Sequence, residues 1–167
     1  MEAVLVERRP FQAHHLIAVF FTPVHGLVPT IAFGGQRSRV RFPDLDFFHT
    51  YEVAVELDRD LPTLLRAAVV KPRSFDVRRH MVAARAVTLI EKTAARFEPE
   101  PGMWTALIAF LDKLGALDAE EQQAEVAALG LTLLRLAGWC PPASALRPGM
   151  SPRDVLAVVD GTLAFYA

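Results

Sequence analysis

The sequence has one cysteine, three lysines and no apolar run long enough to cross a bilayer. Each scarcity removes a class of protein. A lone thiol, Cys140, cannot form an intramolecular disulfide and suits a reducing compartment. A membrane-spanning helix needs about 20 apolar residues in series, and no such series occurs. The opening residues, MEAVLVERRP, place acids and arginines where a secretory leader would be uninterruptedly apolar. Gly34-Gly35 is not followed by Gly-Lys-Ser/Thr, so there is no nucleotide-phosphate loop of that kind. A Gly-x-Ser-x-Gly elbow and a zinc-protease motif are also missing. The histidines, at 14, 15, 25, 49 and 80, match no metal-ligand spacing. Glu52 and Glu56 read as the wet face of a strand rather than as a catalytic carboxylate pair. The sequence therefore predicts no enzyme, no metal site and no cofactor.

What is present is a chain of 167 residues, 52% hydrophobic, enough for one medium domain or two small ones with a real core. Net charge is −1, which by itself argues against a strongly basic surface. The charge is uneven, however. Residues 1–80 hold 11 Lys/Arg against 9 Asp/Glu, and residues 81–167 hold 7 against 10. Most of the cations are arginines, which can fork onto phosphate and stack on bases.

The pattern has period two as far as residue 70. Glu2–Arg9 alternate loosely and predict a first strand, ended by Pro10. His14–Phe21 and Leu27–Phe33 are rich in Val, Ile and Phe and flank Thr-Pro-Val-His-Gly, which predicts a hairpin. Pro29 lacks a ladder donor, so its strand is expected to bulge or lie at an edge there. Gly34–Pro43 predict a loop. Phe48–Leu57 place Tyr51, Val53, Val55 and Leu57 on one face and Glu52 and Glu56 on the other. Leu61–Val70 predict a fifth strand. Five short strands fit a small closed or nearly closed barrel.

From Lys71-Pro72-Arg73 onward the period becomes 3.6. Val82, Ala86, Leu89, Ile90 and Phe97 predict one helical face; Pro99 and Pro101 interrupt it. Trp104, Leu107, Ile108, Leu111 and Leu114 predict a second, ending near Gly115. Val126, Leu129, Gly130, Leu133, Leu134 and Ala137 predict a third, with Gly130 allowing close backbone approach. Gly138 and Pro141-Pro142 end it. Cys140, just after this apolar helix, is expected to be a buried, inert thiol. Ser151-Pro-Arg-Asp offers an N-cap, a proline at N1 and an acid at N3, opening a last helix with Val155, Leu156, Val159 and Leu163 inward. The fold class is thus α+β: a small five-stranded barrel over 1–72, then a helical domain over 73–167.

Several motifs stand in an order that is similar to one family. Phe21-Thr22, His25-Gly26, Gly34-Gly35 and Arg37-Ser38-Arg39 with Arg41 resemble the "FT-x-x-HG" hairpin and "G-x-R-x-x-x-R" loop of RecO, the bacterial recombination-repair mediators. Trp104–Leu117 and Leu131–Pro141 resemble the family's helical segments, the second closely. The likeness covers roughly residues 4–142. It departs in one respect: many members carry a four-cysteine zinc module after that glycine and proline, and here Cys140 stands alone. The chain resembles a shortened RecO without that module, which implies that the barrel over 1–72 is of the oligonucleotide/oligosaccharide-binding (OB) type.

The resemblance implies a cytoplasmic, nucleoid-associated protein that binds single- and double-stranded DNA. It implies strand annealing, and recombinase loading with RecR onto DNA coated by single-stranded DNA-binding protein. Arg37, Arg39 and Arg41, spaced by two, would share a face of an extended segment. Lys71, Arg73, Arg78 and Arg79 cluster near the period switch. Together these seven are the candidate phosphate contacts. Phe33, Phe42, Phe47, Phe48 and Tyr51 are either stacking platforms or, as aromatics in strands usually are, core. The resemblance also implies that the helical half helps to dock the acidic tail of single-stranded DNA-binding protein, and the sparse cations there, Lys113, Arg135, Arg147 and Arg153, predict weak docking. The rival reading is a protein-interaction module that keeps the fold and has weak or no DNA binding, which the near-neutral charge favours.

Overall fold

A computed structural model describes residues 1–42 and 45–167. Among these residues there are five strands followed by four α-helices. The strands are β1 (Glu2–Phe11), β2 (His15–Thr22), β3 (Gly26–Ala32), β4 (Thr50–Glu56) and β5 (Thr63–Lys71). They close into a barrel in the order β1-β2-β3-β5-β4. All neighbours are antiparallel except β3 and β5, which meet in parallel at Ile31↔Thr63. This is the OB-fold. Alternation fills its interior: Leu5, Ala18, Phe20, Ala32, Tyr51, Val53 and Leu64 are all buried and pack together.

Pro10 departs from expectation and Pro29 takes the edge alternative rather than the bulge, both for one reason. Pro10 does not end β1; it pairs with Leu16, and the strand continues to Phe11. Here β1 has β2 on one side, while β4 pairs only with Glu2–Val4, so the missing N–H faces no ladder. Pro29 makes no bulge, since β2 and β3 run in unbroken register from Leu16↔Ala32 to Thr22↔Gly26. The N–H of Leu27 donates to Ala95 (2.9 Å) and that of Ile31 to Pro62 (2.8 Å), both away from β2. Alternation points residue 29 to that same flank, midway between the two segments, where no acceptor waits for a donor.

The partner of Leu27 comes from beyond the first helix. Residues 95–101 belong to the barrel's compact unit together with residues 1–74. Phe97 N–H donates back to Leu27 (3.3 Å) and Glu100 N–H to Pro23 (3.1 Å). Phe97 is therefore not on a helical face. It lies in this segment with φ 58° and is 47% exposed. Gly26 makes the approach possible. Its φ is +57°, and a Cβ there would stand 2.3 Å from the Ala95 carbonyl oxygen and 2.6 Å from that of Glu98. The turn before it is tied by Thr22, whose Oγ1 accepts from His25 N–H at 3.0 Å.

The second compact unit comprises residues 75–94 and 102–167. Its helices are α1 (Val77–Thr93), α2 (Pro101–Lys113), α3 (Ala119–Leu136) and α4 (Pro152–Tyr166). Asp76, Asp118 and Ser151 cap α1, α3 and α4 with their side chains. Asp118 and Glu121 complete a capping box, each side chain accepting from the other's backbone. The α4 cap is the predicted one, with Pro152 and Asp154 in the first turn. Gly130 lies against both Val159 methyls, each 3.1 Å from where its Cβ would be, and so brings α3 close to α4. On α2 the buried stripe is Met103, Leu107, Phe110 and Leu111; Trp104 and Ile108 are half-buried, so the stripe is rotated from the expected one. Cys140 is exposed, contrary to expectation, because α3 ends at Leu136 and the thiol lies in the irregular stretch beyond.

Gly26→Ala is expected to cost about 2 kcal/mol or more in urea unfolding, from backbone overlap added to the left-handed conformation. Gly34→Ala provides the contrast. Its φ is +70°, but the nearest atom to a new Cβ is the flexible end of Arg41 at 3.6 Å, so only about 1 kcal/mol is expected. Equal costs would show that conformation alone sets the need for glycine at 26.

A second prediction concerns pH. Burial pushes the Glu100 carboxyl above its ordinary range, and Glu98 adds repulsion; a backbone hydrogen bond from Ala95 opposes both. The folded chain therefore holds this proton more tightly than the unfolded chain, and the carboxyl costs stability once pH exceeds the ordinary glutamate range. Glu100→Gln should raise the thermal midpoint at neutral pH and leave it unchanged near about pH 3, below that range. A gain that persists in acid would refute this origin.

Candidate functional site

The loop between β3 and β4 is not extended. Its first part is a series of turns. Gly35 N–H donates to Ala32 (3.1 Å), Arg37 and Ser38 N–H both to Gly34 (3.0 and 3.1 Å), and Phe42 N–H to Ser38 (3.0 Å). Gln36 binds the start of β2 twice: its N–H donates to His14 (3.3 Å) and its side-chain amide to the His15 carbonyl (2.7 Å). His15 Nδ1 accepts from Gly34 N–H at 3.1 Å, and its ring meets Phe33 edge-on at 5.1 Å. The premise that Arg37, Arg39 and Arg41 share one face of an extended segment is therefore overturned, because local turn bonds satisfy this backbone before a strand could.

The three arginines remain exposed. Among the described residues, Arg37 and Arg39 make no ion pair or hydrogen bond through their side chains. Arg41 is partly committed. It donates to the Phe33 carbonyl (3.1 Å), its guanidinium lies 5.2 Å from the Phe42 ring centroid, and its own carbonyl accepts from Ala67 on β5 (3.1 Å). Arg39 lines a groove of about 370 Å³ with Arg8 and Arg9 of β1, Gln36 and an apolar floor. Arg41 lines a shallower depression with Val40, Arg66 and Val69. Sequence reading missed Arg8, Arg9 and Arg66. The register Arg9↔Ile17 and Arg8↔Ala18 carries the end of β1 to the side where the loop lies, and a hairpin drawn residue by residue would have shown it.

The far end of the loop is held by Tyr51. Its hydroxyl donates to the Asp46 carbonyl (2.8 Å) and accepts from Asp46 N–H (2.7 Å). The ring is fully buried and meets Phe20 edge-on. Arg8 donates to the Leu45 carbonyl and lies 5.5 Å from the Phe47 ring centroid. Phe42, Phe48 and Tyr51 are core, so of the five candidate aromatics only Phe33, at 43%, is open to solvent, with Phe47 half-buried.

The remaining four cations divide. Lys71 is exposed at the end of β5. Arg73 holds the turn before β4: its backbone N–H donates to His49 Nδ1 (3.1 Å), and its Nη1 to the Phe48 carbonyl (2.8 Å) and Thr50 Oγ1 (2.9 Å). Phe48 has φ 73°, a conformation that costs a bulky side chain energy and that these bonds offset. Arg78 and Arg79 belong to the helical unit. Arg78 is exposed. Arg79 pairs with Asp76 and donates to the carbonyls of Leu114 (3.2 Å) and Leu117 (3.0 Å). The backbone hydrogen bond from Arg79, then its guanidinium, hold the Asp76 carboxyl below the ordinary range.

Among the described residues no group of three or more His, Cys, Asp or Glu is placed to hold a metal ion. Among the described residues no helix is long and apolar enough to cross a membrane. No curated protein matches the chain. Residues 1–73 match the family model described as "Recombination protein O N terminal". The match ends two residues beyond β5, so it takes in the barrel's five strands and the loop that carries Arg37, Arg39 and Arg41, and over these residues the chain is similar to the N-terminal domain of recombination protein O.

Proposed function

We propose that this protein acts in DNA recombination and repair by binding the sugar-phosphate backbone through its β3–β4 loop, supporting strand annealing and recombinase loading. The observation that carries the reading is the state of Arg37 and Arg39: exposed guanidiniums, without partners among the described residues, on the loop of an OB barrel. Arg41 and Lys71 complete the set on the same unit. Arg73 and Arg79 are left out because their guanidiniums hold turns. Contacts to the sugar-phosphate backbone of this kind carry no sequence information. RecR and single-stranded DNA-binding protein are the partners this reading implies. Lys113 is already paired with Glu125, in keeping with weak docking of an acidic tail on the helical unit.

Four cations on a single strand predict that log K falls with log salt at a slope of about −3, from roughly −0.7 per phosphate. Arg37→Ala with Arg39→Ala and Arg41→Ala should weaken binding to all sequences alike and flatten the slope to about −1. Thermal stability should barely change, because exposed charges contribute little to folding. Unaltered binding by the triple variant would remove the loop from the site. Arg73→Ala should do the reverse, destabilising the chain by about 1–3 kcal/mol through the stranded Phe48 and Thr50 acceptors while changing the salt slope little.

A second reading has its own observation. Val40 is 95% exposed, and Leu65 and Val69 on β5 are also open to solvent. Such apolar surface suits a protein partner. No DNA binding even at low salt would favour this reading.

A further inference from the structure

The helical unit exposes an aromatic surface that DNA binding does not use. It lies at the end of α4, where Phe165 is 81% exposed and Tyr166 46%. Both rings are held in place. Tyr166 stacks on Trp139, with centroids 5.6 Å apart and planes 7° from parallel, and Phe165 meets Tyr166 edge-on at 5.0 Å. The two rings form part of the wall of an apolar groove of about 370 Å³. Pro142 and Ala145 line it from the connection before α4, and Val158, Gly161 and Thr162 from α4 itself. The Thr162 hydroxyl already donates to the Val158 carbonyl at 2.9 Å. Gly161 keeps the groove open, for a Cβ there would meet nothing within 4 Å.

A knob and a hole thus sit side by side. A cavity of about 150 Å³ holds a benzene ring, so this groove has room for a phenyl side chain. The charge pattern selects the occupant. From Val155 to Tyr166 the one charged residue is Asp160, and it is paired with Arg85. From Trp139 to Leu146 there is none. A charged partner finds nothing here to pair with. A two-fold axis, by contrast, sets the same patch of two copies against itself, and an uncharged patch brings no like charges together. We infer that a second copy of this chain completes the groove, the Phe165 of each copy entering the groove of the other. Phe165 and Tyr166 leave about 250 Å² of aromatic surface open in each copy. The groove walls they would cover are comparable, which gives an interface of about 1,000 Å² in all, the lower end for specific association. The pair is therefore transient. This inference does not depend on the DNA-binding reading.

The test is sedimentation velocity on the whole chain without DNA, from about 5 to 500 μM, the range in which so small an interface associates. A monomer–dimer equilibrium is expected. Phe165→Ser removes the knob at an exposed position. Gly161→Leu fills the hole while improving helix propensity. Each should weaken association about tenfold or more, and both should stay as helical as the parent by circular dichroism. Cys140 gives a local readout, since its exposed thiol lines the same groove. Its alkylation by iodoacetamide should slow as the parent's concentration rises, and should not slow in the Phe165→Ser chain. A parent that stays monomeric throughout would overturn the inference. So would a dimer that either variant forms at the parent's strength, or one that leaves Cys140 equally reactive at all concentrations, because the pairing would then lie elsewhere.

Discussion

A side chain that is missing at residue 26 sets the terms for the β2–β3 hairpin. The backbone of Ala95–Glu98 lies so close to Gly26 that any Cβ would overlap carbonyl oxygens. That closeness lets Leu27 use both its N–H and its C=O, with Ala95 and Phe97. The outer flank of β3 is thereby satisfied at Leu27 by residues 95–97 and at Ile31 by the residue preceding β5. Between these two contacts the strand has no neighbour on that side among the described residues, and the residue there is Pro29. A residue with no donor occupies the position where none can be used. Gly26 and Pro29 are thus two answers to one problem: a barrel strand whose second neighbour changes along its length.

The basic loop poses the opposite problem, since it must display charge without a ladder to fix its backbone. It is stitched at the near end by Gln36 and His15 and at the far end by Tyr51. Tyr51 contributes from within the core. Its ring is an interior wall of the barrel, and its hydroxyl reaches the loop backbone, so one residue joins hydrophobic burial to loop position. Such anchoring limits the entropy that a ligand would have to remove from the loop on binding.

The barrel was legible because its interior is built by strict alternation. Tyr51 and Val53 against Glu52, or Leu5 and Phe20 within their strands, announce a strand with one dry face. The switch to 3.6 after residue 70 marked the helices for the same reason, and Ser151-Pro-Arg-Asp marked an N-cap through chemistry that is wholly local. What failed to show depended on partners far along the chain. Phe97 continues the apolar stripe of α1 numerically, yet it belongs to a segment whose bonds run to residues 23–27. Trp104 and Ile108 fit an apolar stripe as well as Met103 and Phe110 do; only packing selects between two faces one residue apart. The groove escaped notice because Arg8 and Arg9 are 31 and 30 residues before Arg39, and alternation alone does not say which loop lies over the end of β1. Neither Phe48's positive φ nor the arginine that supports it has a local signature.

The arginines divide by what accepts their protons, and the division bears on function more than net charge does. Arg8, Arg73 and Arg79 donate to carbonyl oxygens at turns and helix ends: Leu45, Phe48, Leu114 and Leu117. A planar group with five donors can reach such oxygens while remaining charged. A lysine could not reproduce Arg79, which makes its two carbonyl contacts through different nitrogens. Arginines so bound have already spent much of their hydrogen-bonding capacity. Arg37 and Arg39 have not, for among the described residues their side chains make no ion pair or hydrogen bond that a ligand would have to displace. At physiological ionic strength charge is felt over about 8 Å. A net charge of −1 summed over the whole chain therefore says little about what a phosphate meets at this loop. There it meets two uncommitted guanidiniums, a third that is half-committed, and the nearby arginines of β1.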